Sequence, residues 1–276
     1  MKIGIRLHDA QGQGLEEKIS KAKSQGFECV HLALSKVLGE EYLLPANLTR
    51  ELARYVKSSL FPLDIAVLGC YLNLATPDPK AARQIQERYI AHLRFSKWTG
   101  AMLVGTETDC LTPGCRDDMR YRHSDESLDL LIECLTPVVR AAEELDAVIA
   151  IEPVWSHIVY GAQRARQMLD HFRSAHLKII LDPVNLLNAD TLERHEEVFD
   201  DAIELLYEDI AVIHIKDCVT ENGSLRATAA GEGIINYAPF FAHLRKRSCA
   251  VPITLENTQP HNAQAALRYV RKLVKG

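Results

Sequence analysis

Eight short runs rich in isoleucine, valine and leucine alternate with longer segments of helical period along the whole chain, and this alternation constrains the fold more than any other feature. A strand followed by a helix and another strand forms a crossover unit, which places neighbouring strands parallel and covers the sheet with helices. The pattern predicts strands at Lys2–Leu7, Cys29–Leu34, Asp64–Tyr71, Ala101–Glu107, Val148–Pro153, Leu177–Asp182, Ala211–Asp217 and Pro252–Asn257. It predicts helices at Leu15–Gln25, Leu48–Leu60, Ala81–Thr99, Asp125–Leu145, Ala162–Arg173, His195–Glu208, Pro239–Arg247 and Asn262–Lys275. Eight is the number of strands at which a parallel sheet closes on itself, so the expected fold class is α/β, a (β/α)8 TIM barrel. No Gly/Ser-rich linker, repeat or charge block divides the series, and residues 1–276 are expected to form a single domain. Longer loops follow strand four (Thr108–Ser124) and strand seven (Cys218–Tyr237), on the face where such barrels carry their chemistry.

Composition excludes several functions. A net charge of −5 shows no broad basic surface of the kind needed to hold a nucleic-acid backbone. No apolar run approaches the ~20 residues of a membrane span, and the first residues lack the apolar region of a signal peptide. Seven cysteines without a CxxC pair point to reduced thiols. The chain therefore reads as a cytoplasmic protein acting on a small molecule, with neither a nucleic-acid nor a membrane partner.

Each of the last four predicted strands ends in a residue that can bind a metal: Glu152 in VIAIEP, Asp182 in KIILDP, His214 in AVIHIKD and Glu256 in PITLEN. Side chains alternate across a strand, so these positions can be checked against their neighbours. With the four pointing into the barrel, Ile149 and Ile151, Ile179 and Leu181, Ile213 and Ile215, and Ile253 and Leu255 face the helices, while Val148, Ala150, Ile180 and Val212 fill the lumen. A single carboxylate at a strand end is commonly just a loop hydrogen-bond acceptor, and a single strand histidine is commonly structural. Four such groups at one barrel mouth are different, because without a cation they would repel one another or be desolvated. Three carboxylates and an imidazole form a hard, oxygen-rich set suited to one divalent ion, with Mn²⁺ favoured and Mg²⁺, Zn²⁺ or Co²⁺ accommodated.

The ordered motifs LGCYLNLATPD, GTETD, IEP, LDPVN, HIKD, GEGIINY and LEN resemble the xylose isomerase-like barrel superfamily of sugar and sugar phosphate isomerases and epimerases, which also includes inosose dehydratases and the endonuclease IV branch of DNA repair. The resemblance spans nearly the whole chain. It implies a metal on Glu152, Asp182, His214 and Glu256, with the two glutamates also acting as acid–base groups. Two positions depart from the pattern: Asn185 stands where the epimerases and endonuclease IV commonly have histidine, and Cys70 stands where the endonuclease branch has histidine. Both argue against a multi-metal DNA-repair cluster.

Further residues are candidates for holding substrate. Lys216 shares the inward parity of His214, and Asn185, Trp155, His157, Glu107 and His8 lie at or just beyond strand ends. Trp155 and His157 are expected to wall the pocket. Arg226 in the strand-seven loop and the backbone N–H groups of GEGIINY are candidates for a phosphate or carboxylate, although a simple turn accounts for the glycines equally well. Asp217 reads as a cap or as support for a ligand. Cys70 reads as a small buried hydrophobe. The scattered His8, His31, His92 and His123 are not read as a second metal site.

These parts suit proton abstraction next to a carbonyl, with an enediolate stabilised by the metal and with Glu152 and Glu256 serving as base and acid. Isomerisation, epimerisation and an inosose-type dehydration all use the same groups. The non-enzymatic rival is a sugar-binding barrel, which predicts a missing ligand, and none is missing. A homo-oligomer is expected for this class, with no stripe of residues marking its interface.

Overall fold

The computed structural model describes residues 1–109 and 118–276. Part of the predicted strand-four loop, with Cys110 and Cys115, lies outside the described residues. The chain lays down β1 (Ile3–Arg6), α1 (Gly14–Gln25), β2 (Cys29–Leu32), α2 (Leu34–Val37), α3 (Arg50–Leu60), β3 (Asp64–Gly69), α4 (Pro79–Thr99) and β4 (Val104–Thr106). It continues with α5 (Met119–Arg122), α6 (Asp125–Glu144), β5 (Ile149–Ile151), α7 (Ala162–Phe172), β6 (Leu177–Leu181), α8 (His195–Leu206) and β7 (Ile210–Ile215). A hairpin of β8 (Asp217–Glu221) and β9 (Ser224–Thr228) precedes α9 (Ala238–Lys246), β10 (Ile253–Leu255) and α10 (Ala263–Lys275). The eight parallel strands close in the order β1-β10-β7-β6-β5-β4-β3-β2, which is the predicted barrel.

The core has two shells, as the alternation of side chains requires. Cys29, Ala66, Val67, Leu103, Ala150, Ile180 and Val212 pack inside the barrel. Ile149, Ile151, Ile179, Leu181, Ile213, Ile215, Ile253 and Leu255 belong to the outer shell against the helices. The split follows the predicted parity, so the positions one residue beyond β5, β6 and β10, and His214 within β7, share the inward face. Helix boundaries follow local chemistry. Thr49 caps α3 by accepting from Leu52 N, Asp78 caps α4 ahead of Pro79, and Gly100 closes α4 in the left-handed region at φ 80°.

The lumen has no spare room at Gly105, where a Cβ would stand 2.7 Å from both Ile180 Cδ1 and Val67 Cγ1. Gly105→Ala is expected to destabilise the barrel by about 1–3 kcal/mol through overpacking. Denaturant unfolding of wild type and variant measures it.

The strand-seven loop differs from expectation, since it folds back as the β8–β9 hairpin. Its turn is Asn222–Gly223, both at positive φ (52° and 76°), which is the two-residue geometry that suits the twist of a hairpin. Cys29, Cys70, Cys134, Cys218 and Cys249 are free thiols. No helix among the described residues is long and apolar enough to cross a membrane.

Candidate metal centre

Glu152, Asp182, His214 and Glu256 converge at the C-terminal mouth of the barrel, with one ligand atom from each lying within 4.8 Å of the others. All four are buried, Asp182 and His214 completely. The strand ladder sets their heights: Glu152 N donates to Thr106 O at 2.8 Å and Glu256 N to Ile215 O at 3.0 Å. The tight turn of LDPVN fixes Asp182, whose Oδ1 accepts from Val184 N (2.9 Å) and Asn185 N (3.2 Å). Its Oδ2 is thereby turned toward Lys216 Nζ, 3.0 Å away.

Asn185 links members of the cluster. Its Nδ2 donates to Glu152 Oε1 at 2.7 Å, while its Oδ1 accepts from Lys216 Nζ at 2.6 Å. Lys216 Nζ also stands 3.4 Å from Glu256 Oε2, and Arg6 lies 3.5 Å from the same oxygen, held there by Asp9. His214 Nδ1 is 3.2 Å from Glu152 Oε2 and 3.1 Å from Glu256 Oε1.

These neighbours set the protonation states. Burial favours the neutral form of His214, but the carboxylates of Glu152 and Glu256 outweigh it and lift the imidazole to about 10. Burial raises Asp182 to about 6 against the pull of Lys216. Burial also works to raise Glu256, but His214 and Lys216 hold it well below the usual carboxylate range. Lys216 is pushed upward because Asp182, Glu256 and Glu152 together exceed the burial effect.

The donor set fits a divalent cation. Nε2 of His214 is buried without a hydrogen-bond partner among the described residues, and its Nδ1 faces two carboxylates that share a single imidazole proton. Such atoms carry a desolvation penalty that a bound cation would relieve.

The other predicted residues fall into three groups. Lys216 and Asn185 are inside the cluster. Trp155 lines a cavity of about 180 Å³ beside Asn185, Lys216, Leu225 and Ala227. Glu107 and His157 line a second cavity of about 390 Å³ with Tyr71, Asn73 and Arg88, and burial together with Glu152 and Glu256 lifts Glu107 to about 8. His8 stands at the mouth, edge-on to the ring of His31 with centroids 6.2 Å apart, and burial followed by Arg6 lowers it to about 4.

Two candidates for an anion do not reach the cluster. Arg226 lies on β9 and pairs with Glu221 at 2.5 Å, an exposed contact within the hairpin. The backbone of GEGIINY wraps the Asp217 carboxylate, whose Oδ1 accepts from Cys218 N and Ile235 N and whose Oδ2 accepts from Gly231 N. A Cβ at Gly233 would fall on the Asp217 carboxylate, which accounts for that glycine.

Arg6 and Tyr71, which the sequence does not mark, also reach the site, as does His31, which the sequence offers only as one of several scattered histidines. His31 is buried, stacks on His214 (centroids 5.2 Å, interplanar angle 17°) and meets the Tyr71 hydroxyl at 3.1 Å. The signal was available, because Arg6 is two residues beyond the lumen-facing Gly4 and His31 two beyond the lumen-facing Cys29.

A family model described as xylose isomerase-like TIM barrel matches residues 19–273. A search of the curated proteins found no match. Among solved structures, the 3-keto-D-glucoside 4-epimerase YcjR from E. coli superposes with a TM-score of 0.74 at 17% identity, over 99% of each chain. D-psicose 3-epimerase from Clostridium cellulolyticum H10, solved with D-tagatose, gives 0.77 at 16% identity, again over 99% of each chain. The IOLI protein with a zinc atom gives 0.76 at 18% identity, over 99% of this chain and 96% of that one. At these identities the likeness to solved structures speaks for the fold, while the match across residues 19–273 shows the lineage: the chain belongs to the xylose isomerase-like TIM barrel family.

Proposed function

We propose that this protein is a metal-dependent isomerase or epimerase that moves a proton on the carbon next to a carbonyl of a small, unphosphorylated sugar or keto-polyol. The observation that carries the reading is the pair of buried glutamates, Glu152 and Glu256, which converge on His214 Nδ1 from strands separated by β6 and β7. When bound, a divalent ion such as Mn²⁺ would act as a Lewis acid on the carbonyl and neighbouring hydroxyl of the substrate. The protein groups supply the proton transfers. Glu152 has one oxygen held by Asn185 and the other facing His214 at the barrel mouth, so it can take a proton there once His214 has given up its own on metal binding. Glu256, kept ionised by His214 and Lys216, can likewise take or return one. Lys216 and Arg6 compensate the negative charge that develops on the substrate oxygens. The epimerase activities of the solved relatives support this assignment.

The choice of an unphosphorylated substrate is supported by the occupied state of the anion candidates. In GEGIINY the N–H groups of Gly231 and Ile235 are taken up by Asp217 and those of Glu232 and Ile234 by backbone carbonyls, and Arg226 is paired with Glu221. Incubating the Mn²⁺-loaded protein with ketohexoses, their phosphates and inososes in deuterated water tests the proposal. Deuterium entering the carbon next to the carbonyl of an unphosphorylated sugar is expected. Exchange confined to phosphorylated sugars would contradict the substrate class, and exchange with none would contradict the activity.

Metal affinity is expected to fall with pH. Ligands bind deprotonated, and in the metal-free protein His214 keeps its proton up to about pH 10, so binding at pH 7–8 displaces about one proton and each pH unit lost weakens affinity by up to about tenfold. Below about pH 6, where Asp182 also protonates, the slope is expected to steepen toward two protons per ion. Calorimetric titration in buffers of different ionisation enthalpy reads the number directly.

A further inference from the structure

We propose that His31 is an additional ligand of the same metal ion, so that the centre binds through two imidazoles and not one; this rests on the metal centre proposed above. His31 stands at the inward end of β2, next to β1 and across it from β10, and is 1% exposed. Its Nδ1 has no hydrogen-bond partner among the described residues and lies 4.0 Å from Glu256 Oε1. That separation is too long for a hydrogen bond but suits two donors of one ion, each about 2.1 Å from it, which stand at most about 4.2 Å apart. His31, His214 and Glu256 each present a ligand atom within 4.8 Å of the others, a triad that shares His214 and Glu256 with the four-residue cluster, so an ion on the His214–Glu256 side of that cluster is the one His31 would reach; the two rings are nearly parallel.

The other side of the ring is equipped as a ligand requires. A metal-bound histidine is oriented by a partner on its second nitrogen, and the Tyr71 hydroxyl sits 3.1 Å from His31 Nε2. With the Nε2 proton directed to Tyr71, the Nδ1 lone pair faces Glu256. His214 has no such partner on its Nε2 among the described residues, so His31 is the better oriented of the two imidazoles. Its stacking against His214 adds a wall that keeps both rings in place. Adding a second nitrogen shifts the donor set away from the all-oxygen preference of Mg²⁺ and toward Mn²⁺, Co²⁺ or Zn²⁺.

X-ray absorption of the Co²⁺-loaded full chain counts the imidazoles bound to the ion. Two are expected in the wild type and one in His31→Phe, and Tyr71→Phe is expected to weaken Co²⁺ binding by about 10–100-fold while keeping two. One imidazole in the wild type would overturn the assignment of His31 while leaving the four-residue centre intact. If Co²⁺ failed to bind at all, both readings would fall. Should His31→Phe not fold, the count in the wild type still decides the question.

Discussion

Replacing Glu256 by glutamine is expected to lower turnover by about 10²–10⁴-fold, the usual contribution of one positioned acid–base group. Glutamine keeps the shape of the side chain, so the lumen packing and the Glu256 N to Ile215 O hydrogen bond are retained. It cannot accept the proton that the reaction generates. It also removes the negative charge that faces His214, Lys216 and Arg6, and so weakens the metal as well as the chemistry. Glu152→Gln is expected to behave similarly on the other side of the substrate, because its Oε2 faces His214 and only its Oε1 is bound to Asn185. The two losses can be separated by measuring deuterium exchange at saturating Mn²⁺. A variant that regains wild-type exchange when saturated with metal would show that its glutamate acts as a ligand and not as a base.

Lys216→Met is expected to produce the largest change in stability, and only in the metal-free protein. Lys216 is buried between Asp182 and Glu256 and is held by Asn185. Methionine fills much of the same volume but leaves Asp182 without the cation beside it and Glu256 with only Arg6 and His214, and breaking a buried ion pair from one side costs about 3–5 kcal/mol. A divalent ion would restore the missing charge, so saturating Mn²⁺ is expected to recover most of the loss. Thermal or denaturant unfolding with and without Mn²⁺ gives both numbers. A deficit of equal size under both conditions would mean that Lys216 acts independently of the metal.

Much of this molecule is legible from the chain. The alternation of Ile/Val/Leu runs with helical segments predicts all eight barrel strands, and parity on β5, β6, β7 and β10 separates lumen from outer shell because a strand has only two faces. The same parity points Glu152, Asp182, His214 and Glu256 to one mouth. Contacts made through closure are harder to see. His31 is remote in sequence from His214 and Glu256, and only closure of β1 onto β10 brings β2 into range. Asn185 reads in the sequence as a departure from the family pattern, whereas in the fold it bridges Glu152 and Lys216 through both ends of its amide. The β8–β9 hairpin is hard to see in the sequence despite its Asn222–Gly223 turn, since the polar residues around it read as loop. The glycines of GEGIINY suggest an anion seat because an N–H cluster looks the same in sequence whether it awaits a ligand or wraps Asp217.

The central claim is that one divalent ion organises this site. The most direct test is elemental analysis of protein purified without chelator and reconstituted with Mn²⁺, alongside His214→Ala. The account predicts close to one equivalent of metal in the wild type and a marked loss in the variant. A wild type that takes up no metal after reconstitution would contradict it.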